Sequence, residues 1–268
     1  MKERKVKQQM KTPITYYGGK QTMLKHILPL VPKHTLYTEA FAGGAALFFA
    51  KERATVEVIN DMNGEIVNFY ETVVTKFDEL KARIEKLLHS RMAHQHSWYI
   101  YNHPQWFTKV ERAWALFTLS KMGFAGQLSN SFGFDKSECR HPKKIYYSKD
   151  AFNLSLKERL ECATIEHDDA MKVIARYDTP EAFHFIDPPY VGSNMGHYAN
   201  MFNDQSLDEL LVLCTKLKGK FMLTMYPNAA IEAVAKKNKW TIHRVSRQIS
   251  ACKAESRRKQ EEWMVTNY

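Results

Sequence analysis

The residues best suited to chemistry are Asp187-Pro188-Pro189-Tyr190, which close the apolar run from Ala182 to Ile186. Ala-Phe-His-Phe-Ile predicts a buried strand. Prolines donate no ladder hydrogen bond, so the pair ends the strand at its carboxyl edge. Open α/β sheets bind their ligands at that edge. Asp187 and Pro188 each precede a proline and are driven to extended backbone. A carboxylate, the Pro188 carbonyl and the Tyr190 ring then face one small volume. Two acceptors and a stacking surface suit a planar base with an exocyclic amine.

A second constellation lies upstream. Gly43-Gly44 falls where a strand turns into a helix, and glycine there lets backbone approach a ligand closely. Asp61 lies 18 residues beyond Gly43, at the end of the next strand, where a carboxylate can accept hydrogen bonds from ribose hydroxyls. The turn lacks Gly-x-Gly-x-x-Gly, and this pattern alone does not separate an adenosine-containing methyl donor from NAD. Gly18-Gly19-Lys20 is not a phosphate loop, since Gln21 replaces the required Ser or Thr and Ile14 the first Gly.

Positioning these groups requires a particular set of elements. Leu36 to Phe41 predicts a strand, Ala42 to Ala46 a turn into a helix running through Phe48, Phe49 and Lys51, Val56 to Asn60 a strand and Met62 to about Thr75 a helix. This β-α-β opening favours a parallel sheet. Further strands are expected at Ala182–Ile186, Lys220–Tyr226, Trp240–Val245 and Glu262–Asn267. A helix is expected over Ser206–Leu217, with Ser206 as N-cap and Glu209 closing a capping box.

The middle differs. Residues 76–154 read as helical and then irregular, and carry 13 Lys+Arg against 7 Asp+Glu, net +6 of the chain's +10. Trp98, Trp106 and Trp114 also lie there and are expected to pack its core. A basic, aromatic-rich insert in an α/β frame reads as a nucleic-acid recognition element. The predicted organisation is therefore 1–75 and 155–268 as the two parts of a catalytic domain, with 76–154 as a target-recognition insert.

The chain has 268 residues, enough for one large α/β domain with an insertion. It contains no run of about 18 apolar residues, so no membrane span is expected. Met1 to Lys11 is basic and polar and reads as a solvated tail rather than a secretory signal. Cys139, Cys162, Cys214 and Cys252 are widely spaced, which suggests neither a zinc ribbon nor a disulfide framework. His89, His94, His96 and His103 lack the cysteine or carboxylate spacing of a metal site, so no metal is expected. A pI near 9.3 points to a polyanionic partner, nucleic acid ahead of a membrane surface.

Taken in order, these motifs resemble the Dam-like, D12-class DNA adenine-N6 methyltransferases of the alpha group. Thr12-Pro-Ile-Thr-Tyr-Tyr-Gly-Gly-Lys20 is similar to the family's N-terminal cofactor motif, which implies that Tyr16 and Lys20 contact S-adenosylmethionine; tryptophan is usual where Tyr16 stands. Tyr37-Thr-Glu-Ala-Phe-Ala-Gly-Gly-Ala45 matches the glycine-rich methyl-donor motif, implying Glu39, Phe41 and Gly43, with Ala45 in place of a commoner third glycine. Asn60-Asp-Met-Asn63 matches the ribose-contacting motif through Asp61. Ile165-Glu-His-Asp-Asp-Ala170 matches the adenosine-ring motif through Asp169, with Asp168 the alternative. Asp187-Pro188-Pro189-Tyr190 matches the catalytic signature, and Asp187 is also implied near the amino-acid part of the cofactor. Phe221–Asn228 and Glu262–Tyr268 resemble later family strands.

The resemblance implies a Rossmann-like, S-adenosylmethionine-dependent methyltransferase fold with a mainly helical insert. It implies methyl transfer to a flipped-out adenine in double-stranded DNA, in a restriction-modification setting, by a cytoplasmic protein of bacterial or phage origin held at the nucleoid through DNA. A monomer is expected, with a dimer on DNA as the alternative. Lys121, Gln127, Asn130, Lys136 and Arg140, placed in an insert loop, are the candidate DNA contacts. The insert departs from the Dam pattern around Phe124 to Phe134, so recognition of GATC is not implied. RNA and protein-glutamine methyltransferases, which often carry Asn-Pro-Pro-Tyr or Asn-Pro-Pro-Phe, are the nearest alternative. A catalytically idle DNA-binding module and an NAD oxidoreductase stand further off.

Overall fold

The computed structural model describes residues 10–16, 18–129, 131–190, 202–248 and 259–268. The chain forms two compact units. One comprises Met1–Leu28, Gly43–Arg53 and Asn63–Cys162, the other Pro29–Ala42, Ala54–Met62 and Ala163–Tyr268.

The second unit is built on a sheet of β1 (Leu36–Glu39), β2 (Val56–Asn60), β3 (Thr164–Glu166), β4 (Ala182–Ile186), β5 (Lys220–Met225), β6 (Thr241–Gln248) and β7 (Lys259–Thr266). The spatial order is β3-β2-β1-β4-β5-β7-β6. β1 to β5 run parallel, and β7 lies antiparallel between β5 and β6. Every residue of β4 is buried, as expected of a mainly apolar central parallel strand. β6, at the edge, carries the exposed Thr241, Arg244 and Ser246, which discourage further strand pairing.

On one face of this sheet, Ile186, Phe221, Leu223, Trp263 and Val265 join a core with the helices Ala170–Arg176, Asp204–Cys214 and Ala229–Asn238. A buried pair also ties β1 to β4. Thr38 stands opposite His184, and Thr38 Oγ1 lies 2.7 Å from His184 Nδ1. In chain order the strands advance from β1 to β2 and β3 on one side, then to β4 and β5 on the other. That reversal makes the carboxyl ends of β1 and β4 the topological switch point, the ligand position of doubly wound, Rossmann-like sheets.

Three expectations need correction here. The helix expected from Ser206 spans Asp204–Cys214, and its cap is Asn203, whose side chain accepts from the Ser206 backbone N–H. Asn competes well with Ser as an N-cap, and the earlier cap adds part of a turn. β3 was not expected, because three residues are too short to show a period of two. β6 and β7 each extend beyond the expected bounds, since their mutual pairing runs from Thr241↔Thr266 to Gln248↔Lys259.

The first unit is helical: Gly64–Thr75, Phe77–Glu85, Arg91–Asn102, Lys109–Met122, Arg140–Ala151 and Leu154–Leu160 are its longer members. Lys109–Met122 begins in a capping box of Thr108 with Glu111. It stops at Gly123, where a Cβ would fall 2.1 Å from the Gln127 carbonyl oxygen. Phe77 and Phe152 stack at 5.3 Å in its core. The three tryptophans do not fill that core. Trp98 and Trp114 are half-buried and Trp106 is 63% exposed, because Ala113, Leu116, Phe117 and Leu119 occupy the inward positions. Among the described residues no helix is long and apolar enough to cross a membrane.

Candidate active site

Within the sheet unit, the end of β4 carries the most chemically loaded cluster. The parallel register sets Ile186 against Leu223, so Asp187 and Thr224 leave adjacent positions side by side. Thr224 Oγ1 donates to Asp187 Oδ1 across 2.5 Å, and the Thr224 side chain is fully buried. Tyr190 donates its hydroxyl to Glu262 Oε1 at 2.6 Å. Its ring meets that of Tyr226 edge-on, 4.5 Å between centroids. Glu262 is 2% exposed and precedes Trp263, which pairs with Met225 of β5. Burial, then the Asp187 and Glu262 carboxylates, hold the Tyr190 phenol well above its ordinary pKa. It is a neutral donor, not a phenolate.

The ends of the neighbouring strands add acidic groups. Glu39 closes β1, is 3% exposed and accepts from the Tyr37 hydroxyl at 2.7 Å. Asp61 follows β2 and is 8% exposed. Asn60, just before it, is a buried clamp. Its Nδ2 donates to the carbonyls of Ala40 (2.9 Å) and Asp168 (3.0 Å), and its Oδ1 accepts from the Asp168 N–H (2.9 Å). The segment after β1 and the segment after β3 are thereby tied to the end of β2. Phe41 sits against the sheet core, edge-on to Phe202 at 6.1 Å. Asp168 is engaged by Arg176 at 2.6 Å, and that partner holds its carboxyl below the usual range. Asp169 caps the Ala170–Arg176 helix by accepting from the Lys172 N–H through Oδ1.

Within the helical unit, the glycine turn and the N-terminal motif are packed together. Gly43 has φ +46°, and a Cβ there would lie 2.8 Å from Tyr16 Cδ1. Both facts demand glycine. Tyr70 donates its hydroxyl to the Gly43 carbonyl at 2.7 Å, and Thr12 donates to that of Gly44. Lys20 is 3% exposed and its ammonium donates to the Gly18 carbonyl at 2.8 Å.

The candidate DNA contacts do not share one loop. Lys121 lies in the last turn of the Lys109–Met122 helix and is buried, because that helix continues until Gly123. Arg140 opens the next helix and is paired with Glu138. Gln127 and the exposed Lys136 lie between them, and Asn130 is outside the described residues. Among the described residues, no three or more His, Cys, Asp or Glu are placed to hold a metal ion. Sequence reasoning passed over Asn60, Tyr70, Thr224, Tyr226 and Glu262. A carboxylate directly before the apolar run Trp263-Met264-Val265 was the available signal for the last.

Comparison with known proteins gives this geometry a family. Over 276 aligned residues the chain is 27% identical to the Type II methyltransferase M1.LlaDCHI of Lactococcus lactis subsp. cremoris, covering 94% of this chain and 93% of that one. It is 24% identical to Modification methylase StsI of Streptococcus sanguinis over 69% of this chain, spanning 29% of that longer protein. A solved Escherichia coli structure described as a methyltransferase, yhhF, aligns with a TM-score of 0.35 at 13% identity, over 92% of this chain and 82% of that one, too distant to bear on the argument. The family model for D12 class N6 adenine-specific DNA methyltransferases matches residues 16–251, from the tyrosine against Gly43 to beyond the Asp187–Thr224 pair. The chain belongs to the D12 class of N6 adenine-specific DNA methyltransferases.

Proposed function

We propose that the protein transfers the methyl group of S-adenosylmethionine to N6 of an adenine extruded from double-stranded DNA. The observation that carries this reading is the Asp187 carboxylate, oriented by buried Thr224, at the carboxyl end of β4 beside the topological switch. The residues present suit the donor. Glu39 and Asp61 are buried carboxylates at adjacent strand ends, fitted to hydroxyl and ammonium groups. Asp169 is assigned to the adenosine ring, its Oδ1 serving the helix cap, whereas Asp168 is committed to Arg176. Tyr16, Lys20, Phe41 and Gly43 are assigned to the donor on the family motif.

When bound, S-adenosylmethionine supplies an electrophilic methyl on a sulfonium. The task of the protein is to make the adenine amine a nucleophile. Its lone pair is delocalised into the ring. Hydrogen bonds from the two amino protons to Asp187 and the Pro188 carbonyl draw the nitrogen towards tetrahedral geometry. As the N6–carbon bond forms, the carbon–sulfur bond breaks and positive charge develops on N6. The Asp187 carboxylate stabilises that charge and takes the proton, which passes to water. Pro188 and Pro189 keep both acceptors rigid. Tyr190 stacks on the extruded ring, since N6 is out of reach inside a duplex.

Residues 76–154 act in this reading as the target-recognition element, with Gln127, Asn130, Lys136 and Arg140 as base or phosphate contacts. The test is incorporation of labelled methyl from S-adenosylmethionine into unmethylated genomic DNA, bulk RNA and a protein extract in parallel. Label confined to DNA, recovered as N6-methyladenine at a recurrent sequence, is the expected result. Label in RNA or protein alone would replace this reading.

A further inference from the structure

The last turn of the Lys109–Met122 helix carries a buried cation, Lys121, that no carboxylate among the described residues neutralises. Lys121 is 6% exposed, and its ammonium lies 5.3 Å from the centre of the Phe117 ring. Beside it comes a second lysine. Lys144, half-buried on the Arg140–Ala151 helix, reaches the Ser120 carbonyl at 3.5 Å. Among the described residues, Lys144 is the charged group that bears on Lys121 from the helices packed around it. Among the described residues no carboxylate pairs with either lysine. Burial, with Lys144 second, pushes Lys121 down to about 7, and burial lowers Lys144 as well. Two ammonium groups brought together out of water repel each other and lose hydration. One anion between them reverses both penalties.

The surroundings say which anion. Lys121 lies two residues before Gly123, which bridges to Phe132 and closes the irregular segment. Phe124 and Phe134 there are 57% and 55% exposed, and Tyr146 and Tyr147, on the helix of Lys144, are 63% and 64% exposed. Exposed aromatics on the strongly basic segment 76–154 fit a nucleic-acid surface.

We propose that Lys121 and Lys144 form a two-lysine clamp for one phosphodiester group of the DNA substrate. The clamp rests on the DNA-methylation reading. It supplies affinity and register, not sequence information. In the free protein Lys121 is partly neutral near pH 7, so seating a phosphate draws a proton onto it, and affinity falls as pH rises above about 7.

The test uses the full chain and a labelled duplex of mixed sequence, followed by fluorescence anisotropy over a range of salt. Lys121→Met is expected to weaken binding about tenfold and to reduce the slope of log Kd against log salt by roughly one. Lys121→Arg, always charged, keeps the affinity and loses its pH dependence. The melting temperature of Lys121→Met equals or exceeds the wild-type value, because an unpaired buried charge has gone; a purely structural lysine would give the opposite. Should that variant fail to fold, Lys144→Met reads the same slope. Unchanged Kd and slope in a variant of a wild type that binds DNA would overturn the clamp alone. A wild type that neither binds nor methylates DNA would overturn the underlying reading as well. Stabilisation of the wild type by inorganic phosphate, with duplex affinity unaltered in the variants, would make this a small-anion site and also overturn the clamp.

Discussion

Thr224 Oγ1 donates to Asp187 Oδ1 across 2.5 Å, from a fully buried position on the strand next to the one that Asp187 ends. The hydroxyl fixes the rotation of the carboxylate, so the remaining oxygen has a set direction. A hydrogen bond to a charged group is worth about 1.5–3 kcal/mol. Thr224→Val keeps the shape and removes the donor. A fall in kcat of roughly 10- to 100-fold is expected, at about 1.4 kcal/mol per tenfold, with the melting temperature lower by roughly 5–10 °C at most. Single-turnover methylation rates beside a melting curve check both parts.

Tyr190 is held between the Asp187 and Glu262 carboxylates and donates to the latter. Its raised pKa keeps the phenol protonated across the alkaline range in which enzymes are assayed. Tyr190→Phe therefore leaves the alkaline limb of the pH–rate profile in place while lowering the rate. Glu262→Gln and Tyr190→Phe break the same bond, so their combined effect falls short of the sum of the two. Fully additive effects in this cycle would mean that the two side chains act independently.

Much of this arrangement was legible in the sequence, for a physical reason. β2 and β4 have the bounds expected of them: β4 is buried throughout and reads as a mainly apolar run ended by Asp-Pro-Pro, and β2, buried from Glu57 onwards, ends at Asn-Asp. Gly43 announced its turn, and the structure supplies the reason in its positive φ and the Tyr16 ring against it. The partners of the motif residues were not legible. Thr224 is 37 residues from Asp187, and Glu262 is 72 from Tyr190. Both pairings depend on strand order and register, above all on β7 inserting antiparallel beside β5, and local periodicity carries no record of that. The tryptophans misled because their composition suggested a core that smaller residues of the Lys109–Met122 helix provide.

Asn60 makes three buried hydrogen bonds that hold the loops after β1 and β3. Asn60→Ala leaves their partners unsatisfied, and a loss of about 2–3 kcal/mol is expected. That corresponds to a melting temperature lower by roughly 5–10 °C, measurable by calorimetry. A variant as stable as the wild type would show that water replaces the clamp.

His184 is fully buried, with Thr38 at Nδ1 and Asp178 at 3.3 Å from Nε2. Burial lowers its pKa below the ordinary 6.5, against the opposing pull of Asp178. The unfolded chain therefore binds this proton more readily than the folded one. The stability it contributes is present above about pH 6.5 and is lost as pH falls towards the folded-state value. The melting temperature should drop between about pH 7 and about pH 5, and drop less in His184→Gln. Equal pH dependence in both proteins would exclude His184 as the source.

The most direct test compares wild type with Asp187→Ala for N6-methyladenine formed in duplex DNA from S-adenosylmethionine, with folding and donor binding monitored on the same samples. The account predicts methyladenine from the wild type, and a rate lower by at least about a thousandfold from a variant that folds normally. A folded Asp187→Ala protein that retained most of its rate would contradict it.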